Sequence, residues 1–171
     1  MKRFAFLALG FLLNACTGTP STPSDDNGSN PPSPGVVVQD GIEYRGEVVA
    51  LESFPVQLRG NVTITNKGSE TRIVWFPDGC VALLRAYRTH AREPVWDQGS
   101  DLACTTAIVE MTLAPGESRE VGTPTSSTRD IVGDRLPDRL YRITITLRPA
   151  NGLVEIEGGT IEPAIPHFNR S

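Results

Sequence analysis

From Val36 onward, apolar residues recur at every second position in several short segments, a period typical of β-strands with one buried face. Residues 56–65 show this most clearly, with apolar or small side chains at even positions and polar ones at odd positions. Residues 141–147 alternate in the same way. A third segment covers residues 107–113, and its predicted inward side chains are Ala107, Val109, Met111 and Leu113. We therefore predict three half-buried strands.

Four further segments are predicted to be strands. Residues 43–51 form the first of them along the chain, and residues 73–76 are a continuous apolar run before a Pro-Asp-Gly turn, which predicts a central strand. Residues 153–157 follow an Asn-Gly turn signal and are expected to pair with the preceding strand as a hairpin. Residues 81–88 contain good helix formers, but the segment is short and has no clear cap, so we favour a strand.

Short strands separated by turn signals at intervals of roughly ten residues indicate an antiparallel sheet structure. The chain has no convincing helical segment in this region and no internal repeat. We therefore predict an all-β fold, an antiparallel immunoglobulin-like β-sandwich, rather than a parallel α/β domain.

The first sixteen residues have the organisation of an export signal. Lys2 and Arg3 precede the apolar run 4–13, whose ten residues are too few for a membrane-spanning helix of ~20 residues. Residues 13–16, Leu-Asn-Ala-Cys, resemble the lipobox of bacterial lipoproteins. The resemblance implies a lipoprotein signal peptide at residues 1–15 and a lipid anchor on Cys16. The alternative is an ordinary signal peptide followed by an unrelated cysteine.

Residues 16–35 are predicted to be a lipidated cysteine followed by a disordered linker. From Thr17 to Gly35 there is no aliphatic or aromatic side chain, so this segment has little apolar surface to bury. Its reach is ~25 Å as a flexible coil and up to ~60 Å when extended. Residues 36–171 are then the folded domain, which we expect to be extracytoplasmic, on the outer membrane if the cell has one.

Charge and motif content exclude several functions. The chain has 16 basic and 20 acidic residues and a net charge of −4, which becomes −6 when cleavage removes Lys2 and Arg3. Nucleic acid is therefore not an expected partner. With two histidines and three cysteines, no cofactor and no metal site are predicted. His90 and His167 lack a catalytic motif around them, and we do not expect an enzyme.

A basic cluster and two tryptophans are assigned structural rather than binding roles. Arg85, Arg88, His90 and Arg92 form a local basic cluster, which we interpret as a solvated edge. Trp75 and Trp96 are predicted to be buried packing residues.

Cys80 and Cys104 remain once Cys16 is assigned to the lipid. In an exported protein a remaining pair most simply forms a disulfide, here closing a loop of 25 residues. A redox pair and two free thiols are the alternatives. No Cys-x-x-Cys spacing is present to lower the pKa of a thiol.

Taken in order, several stretches resemble the BsuPI intracellular proteinase inhibitor family. They are residues 62–66 with the turn 67–70, residues 74–79, residues 94–96, residues 113–118, and residues 136–137 before 141–143. The resemblance extends from Val56 to Leu147. It departs from the family pattern at Cys80 and Cys104, which are additions, and at Asp138-Arg139, where the family usually has a glycine before the following strand.

The resemblance implies a proteinase inhibitor domain that acts by binding a protein. Together with the export signal, it predicts a membrane-tethered lipoprotein whose target is an extracytoplasmic serine protease of subtilisin type. The alternative is a non-inhibitory envelope binding or assembly module on the same fold. The sequence names no reactive loop, and the polar segment Gly122–Arg129 is expected to be mobile.

Lipidation of Cys16 can be tested by its replacement. Cys16→Ser removes the thiol that accepts the lipid, so we expect release of the protein from membranes or a block in processing. Membrane fractionation and the mass of the mature protein measure both effects. A variant with unchanged fractionation and unchanged mature mass would contradict the assignment.

Overall fold

The described part of the chain consists mostly of β-strands. A computed structural model describes residues 35–51, 53, 55–132 and 140–161. Contacts divide the chain into Met1–Asn30 and Pro31–Ser171, and every described residue belongs to the second unit. The predicted signal peptide, Cys16, His167 and Asp138-Arg139 lie outside the described residues, as does the predicted linker apart from Gly35.

Eleven strands and two short helices follow one another along the described residues. In chain order they are β1 (Gly35–Gln39), β2 (Ile42–Leu51), β3 (Gln57–Asn66), β4 (Arg72–Phe76), β5 (Ala82–Arg88), β6 (Trp96–Asp97), α1 (Gln98–Asp101), β7 (Val109–Leu113), β8 (Ser118–Gly122), β9 (Ser126–Ser127), α2 (Thr128–Val132), β10 (Tyr141–Leu147) and β11 (Val154–Ile161).

These strands form two main antiparallel sheets and a small third one. The first sheet has the order β1-β2-β3-β8, with β9 also pairing with β3, and the second has the order β11-β10-β5-β6. Strands β4 and β7 pair only with each other. The two main sheets pack face to face, and the order of β2, β3 and β8 against β11, β10 and β5 is that of immunoglobulin-like sandwiches. The predicted fold class is confirmed.

The strands predicted from alternation are present. In β3 the buried side chains alternate strictly and include Leu58, Val62 and Ile64, as the pattern indicated. Strand β10 has the predicted bounds, and β11 pairs with it across the Asn151-Gly152 turn. The segment 81–88 is strand rather than helix, because β5 pairs with β10 over its whole length.

Three predictions about strands were wrong or incomplete. Strand β1 was not predicted, although Asp40 and Gly41 have the positive φ angles, 51° and 78°, of a tight hairpin turn. The run 73–76 is not a central strand, because β4 belongs to the two-stranded sheet and exposes Ile73. Residue Ala107 is exposed ahead of β7 rather than inward.

Two glycines on the inner face of the first sheet set how closely the second sheet approaches. A Cβ added at Gly46 would lie 3.0 Å from Cδ1 of Ile145 and 3.1 Å from Cγ2 of Ile156. At Gly60 it would lie 2.9 Å from Cγ2 of Thr123 and 3.0 Å from Ile145. Ile145 therefore packs directly on the backbone of β2 and β3.

A buried amide, Asn66, joins three segments at the end of β3. Its Nδ2 donates to the carbonyl of Glu70 at 2.8 Å and to that of Leu113 at 3.0 Å, while its Oδ1 accepts from the backbone N–H of Gly68 at 2.9 Å. Because all of these groups find partners, the amide is buried without a large desolvation cost. Asn66 thereby connects the small sheet to the first sheet through Leu113 of β7.

The packing of Ile145 on Gly46 predicts a specific loss of stability. Gly46→Ala forces a methyl group against Ile145 and Ile156, and we expect the free energy of unfolding to fall by about 1–3 kcal/mol. Ile145→Val removes Cδ1 and alone costs about 0.5–1.5 kcal/mol. Because it also makes room for the new methyl, the double variant should lose less than the sum of the single variants. Strict additivity in denaturant unfolding would contradict this account.

Candidate functional site

A disulfide joins two loops at the end of the small sheet. Cys80 and Cys104 are bonded, with their Cα atoms 5.5 Å apart, so the predicted bridge is confirmed. Cys80 lies in the loop 77–81, which follows β4, and Cys104 lies in the loop 102–108, which leads into β7. We call these two segments the stapled loops. Since β4 and β7 pair with each other, the sheet brings the two loops together before the disulfide closes.

Hydrogen bonds hold the stapled loops in addition to the disulfide. Asp78 Oδ1 accepts from the backbone N–H of Cys80 at 2.8 Å, which closes a turn. The N–H of Gly79 donates to the carbonyl of Thr105 at 3.0 Å. The side chain of Thr105 occupies the space that a Cβ at Gly79 would need. A larger residue at Gly79 would therefore have to displace the Thr105 side chain.

The start of the loop 102–108 is fixed by β6 and α1. Asp97 caps α1 by accepting from the N–H of Gly99 at 2.9 Å, and it also accepts from Nε of Arg85 at 2.8 Å. Burial alone would lower the pKa of Arg85, but its interactions with Asp97 and, to a smaller extent, Tyr87 together outweigh this effect and raise the pKa. The indole N–H of Trp96 donates to Asp101 at 3.1 Å. The last residue of α1 thus has a defined position.

The loop 102–108 itself presents its side chains to solvent. It has no regular secondary structure, and Thr105, Thr106 and Ala107 are exposed. Ile108, at its end, has 65% of its surface exposed. Such a segment can offer consecutive side chains and free backbone groups to a partner while its middle stays anchored at Cys104. No motif in the sequence predicted a binding role for this loop. Cys104, predicted to form a disulfide, was the one signal in the sequence that pointed to it.

The stapled loops do not form a metal site. Asp78, Cys80 and Cys104 are the single group of three candidate ligands found among the described residues. The two sulfur atoms are bonded to each other, so neither is a thiolate able to coordinate a cation.

Among the described residues, no helix has the length and apolar character needed to cross a membrane.

The four residues of the basic cluster, which was predicted to be a solvated edge, do not share one environment. Arg88, His90 and Arg92 are exposed as expected. Arg85 is instead largely buried and paired with Asp97 across β5 and β6, because β6 covers that side of the strand. His90 lies in a turn with a φ of 70°, and no described residue forms a hydrogen bond with it. The cluster therefore brings no base and nucleophile together.

The segment Gly122–Arg129 is anchored rather than free. Thr123 Oγ1 accepts from the N–H of Gly60 at 2.9 Å, and the buried Gln98 donates to Pro124 and to Ser126. The segment also contains β9 and the start of α2. Local polarity suggested a mobile loop, but polar residues here satisfy buried backbone groups of neighbouring strands.

The two tryptophans differ in their surroundings. Trp96 is half-buried against the core, in partial agreement with its predicted packing role. Trp75 has 43% of its surface exposed, so the prediction of burial was wrong. Residues of β4 point alternately to the two faces of the small sheet, and those on the face of Trp75 are not covered by another sheet.

Comparisons with other proteins assign no family. No protein-family model matches the chain, and no curated protein matches it with significant similarity. The resemblance to the BsuPI family therefore stays a prediction.

Removal of the disulfide should loosen the stapled loops and reduce stability. The bridge spans a sequence separation of 24 residues, for which a loss of about 3 kcal/mol is expected when Cys80 and Cys104 are both replaced by alanine. Denaturant unfolding of this variant, compared with the unmodified protein under non-reducing conditions, measures the loss. Alkylation of the unmodified protein followed by mass spectrometry is the control, and two alkylated thiols would contradict the bridge.

Proposed function

We propose that this chain is a lipid-tethered extracytoplasmic protein that binds and inhibits a protease through its stapled loops. The target is a serine protease of subtilisin type in the same envelope. The observation that carries the proposal is the exposed loop 102–108, bound to its neighbouring loop by the Cys80–Cys104 disulfide.

A protease inhibitor of this kind needs an exposed segment that enters a substrate cleft and keeps its shape there. A flexible segment would lose conformational entropy on binding, and this loss would weaken the complex. In the loop 102–108, the disulfide at Cys104 and the hydrogen bond from Gly79 to Thr105 limit that freedom before binding. After cleavage of a bond within the loop, the same contacts would hold one side of the break in place and favour its resealing over release.

The composition of the loop suits a cleft that accepts uncharged side chains. Residues 102–108 contain no charged side chain, and Leu102 and Ile108 at the two ends expose apolar surface. Exposed apolar side chains such as these gain free energy when a partner's pockets remove them from water. The loop thus offers apolar anchors on both sides of a short run of small residues.

Export and anchoring support an extracytoplasmic target. The lipobox-like sequence ending in Cys16 and the disulfide both suit an oxidising compartment outside the cytoplasm. A tether between the lipid and the sandwich would let the stapled loops reach proteins near the membrane surface. The alternative function, a non-inhibitory binding module of the envelope, is favoured by the exposed Ile73 and Trp75 on β4, which lie outside the stapled loops.

Inhibition can be measured with the mature lipidated protein in detergent. We expect stoichiometric, saturable inhibition of an extracytoplasmic serine protease from the same envelope. Thr106→Asp should weaken inhibition at least tenfold, because it places a charge in the uncharged loop. Thr125→Asp is the matched control, since Thr125 is an exposed threonine in a different loop, and it should inhibit normally.

Two results would contradict the proposal. One is full activity of every envelope serine protease at equimolar protein, together with a stable partner that is not a protease, which would favour the non-inhibitory alternative. The other is equal inhibition by Thr106→Asp and Thr125→Asp, which would keep the inhibitory function but place its surface outside the stapled loops.

A further inference from the structure

A groove of about 420 Å³ lies where three segments meet, separate from the stapled loops. One wall is the β1–β2 turn with Asp40, the second is β4 from Arg72 to Trp75, and the third is the β10–β11 turn with Asn151. Ile42 and Tyr44 also line it. Its volume falls within the range of roughly 300–1,000 Å³ typical of small-molecule sites.

Hydrogen bonds fix the three walls relative to one another. Asn151 Nδ2 donates to Asp40 Oδ2 at 2.6 Å, and Gln39 Nε2 donates to the carbonyl of Asn151 at 3.1 Å. The backbone N–H of Ala150 donates to the carbonyl of Trp75 at 2.8 Å. The shape of the groove is therefore largely formed before any ligand arrives, which lowers the entropic cost of binding.

Tyr44 lines the inner side of this groove but offers no donor to it. The residue is fully buried, and its hydroxyl forms no hydrogen bond with any described residue. Burial, with a smaller contribution from the charge of Asp40, raises the pKa of Tyr44 to about 12. Because the hydroxyl has no surface open to solvent, a ligand in the groove does not reach it.

Trp75 provides an aromatic surface beside these polar groups. Its side chain is 43% exposed and Ile73 is 49% exposed, on a strand that hydrogen bonds hold on both sides. An exposed indole on a rigid strand is a flat apolar surface against which another flat apolar surface can stack. The groove therefore combines a stacking surface with donors and acceptors within one small volume.

The charges in the groove select against an ionic ligand. Arg72 is exposed and forms no ion pair with a described residue, while Asp40 lies on the opposite wall as a carboxylate. An anion would be attracted by Arg72 and repelled by Asp40, and a cation would meet the reverse arrangement. A hydroxyl group both donates and accepts, so several hydroxyls satisfy a guanidinium and a carboxylate at once.

We propose that this groove binds a neutral saccharide, with a pyranose ring stacked on Trp75 and its hydroxyls bonded to Arg72 and Asp40. A β-linked sugar with equatorial substituents has a flat face of C–H groups, which complements the indole. Asn151 positions the Asp40 carboxylate by donating to its Oδ2. The other carboxylate oxygen, Asp40 Oδ1, can then accept from a sugar hydroxyl. This role does not depend on the stapled loops, because no residue is shared between the two surfaces.

The test uses the mature lipidated protein in a detergent without a sugar headgroup. Cellotetraose and chitotetraose are the probes, and tryptophan fluorescence and calorimetry measure binding. We expect Trp75→Ala to lower the affinity at least tenfold and Trp75→Tyr to retain most of it. Co-sedimentation with insoluble cellulose and chitin distinguishes a polymer ligand from a free oligosaccharide, and binding to either form supports the proposal.

Tyr44→Phe is a control for the enclosed hydroxyl. It removes a group that has no partner within the protein, so the free energy of unfolding should stay unchanged or rise. Because a ligand in the groove does not reach this hydroxyl, the affinity for the saccharide should stay unchanged. Tyr87→Phe is a second control, because Tyr87 lies on β5 and does not line the groove, and it should also bind normally.

Three outcomes would overturn the proposal. The first is no binding of either tetrasaccharide at millimolar concentration. The second is binding that Trp75→Ala leaves unchanged, which would place the sugar elsewhere. The third is preferential binding of inorganic phosphate or acetate, which would show that Arg72 outweighs Asp40 and that the groove selects an anion.

Discussion

The close approach of the two sheets at Gly46 and Gly60 is the contact on which the rest of this structure depends. Ile145 occupies the space that two side chains would otherwise fill, so the central strand of the second sheet lies directly on β2 and β3. This contact sets the separation of the sheets, and the core cluster around it includes residues from both. A well-packed interior transmits any change at such a point to its neighbours.

The small sheet depends on this core at one end and on Asn66 at the other. Val74 and Phe76 of β4 and Leu113 of β7 point into the core cluster, while Asn66 bonds to the carbonyl of Leu113. The opposite face of β4 carries Ile73 and Trp75 outward. Because two strands cannot cover both of their own faces, the small sheet is stable only through its attachment to the sandwich, and its outer face remains available for binding.

The two proposed surfaces share this rigid support but differ in chemistry. The stapled loops continue from the ends of β4 and β7 and present uncharged side chains on a segment restrained by a disulfide. The groove lies along β4 and offers a cation, an anion and an indole. An extended protein segment suits the first surface and a neutral polyol the second. Export through the Cys16 signal would place both at the envelope, where protein and glycan partners coexist.

Polarity patterns in the sequence are enough to predict the strands whose two faces differ, and the cysteine count predicts the pairing of Cys80 with Cys104. Strands β3 and β10 were predictable because an alternating pattern specifies which face is buried. The pattern did not reveal β1, whose three valines follow the polar segment 17–35, or the exposure of Trp75. An apolar run shows that a strand has apolar side chains, but how many sheets cover that strand depends on the whole topology. The burial of the Tyr44 hydroxyl without a partner and the assembly of Asp40, Arg72 and Asn151 were equally unpredictable, because these residues come from turns and strands that lie together only in the folded sandwich.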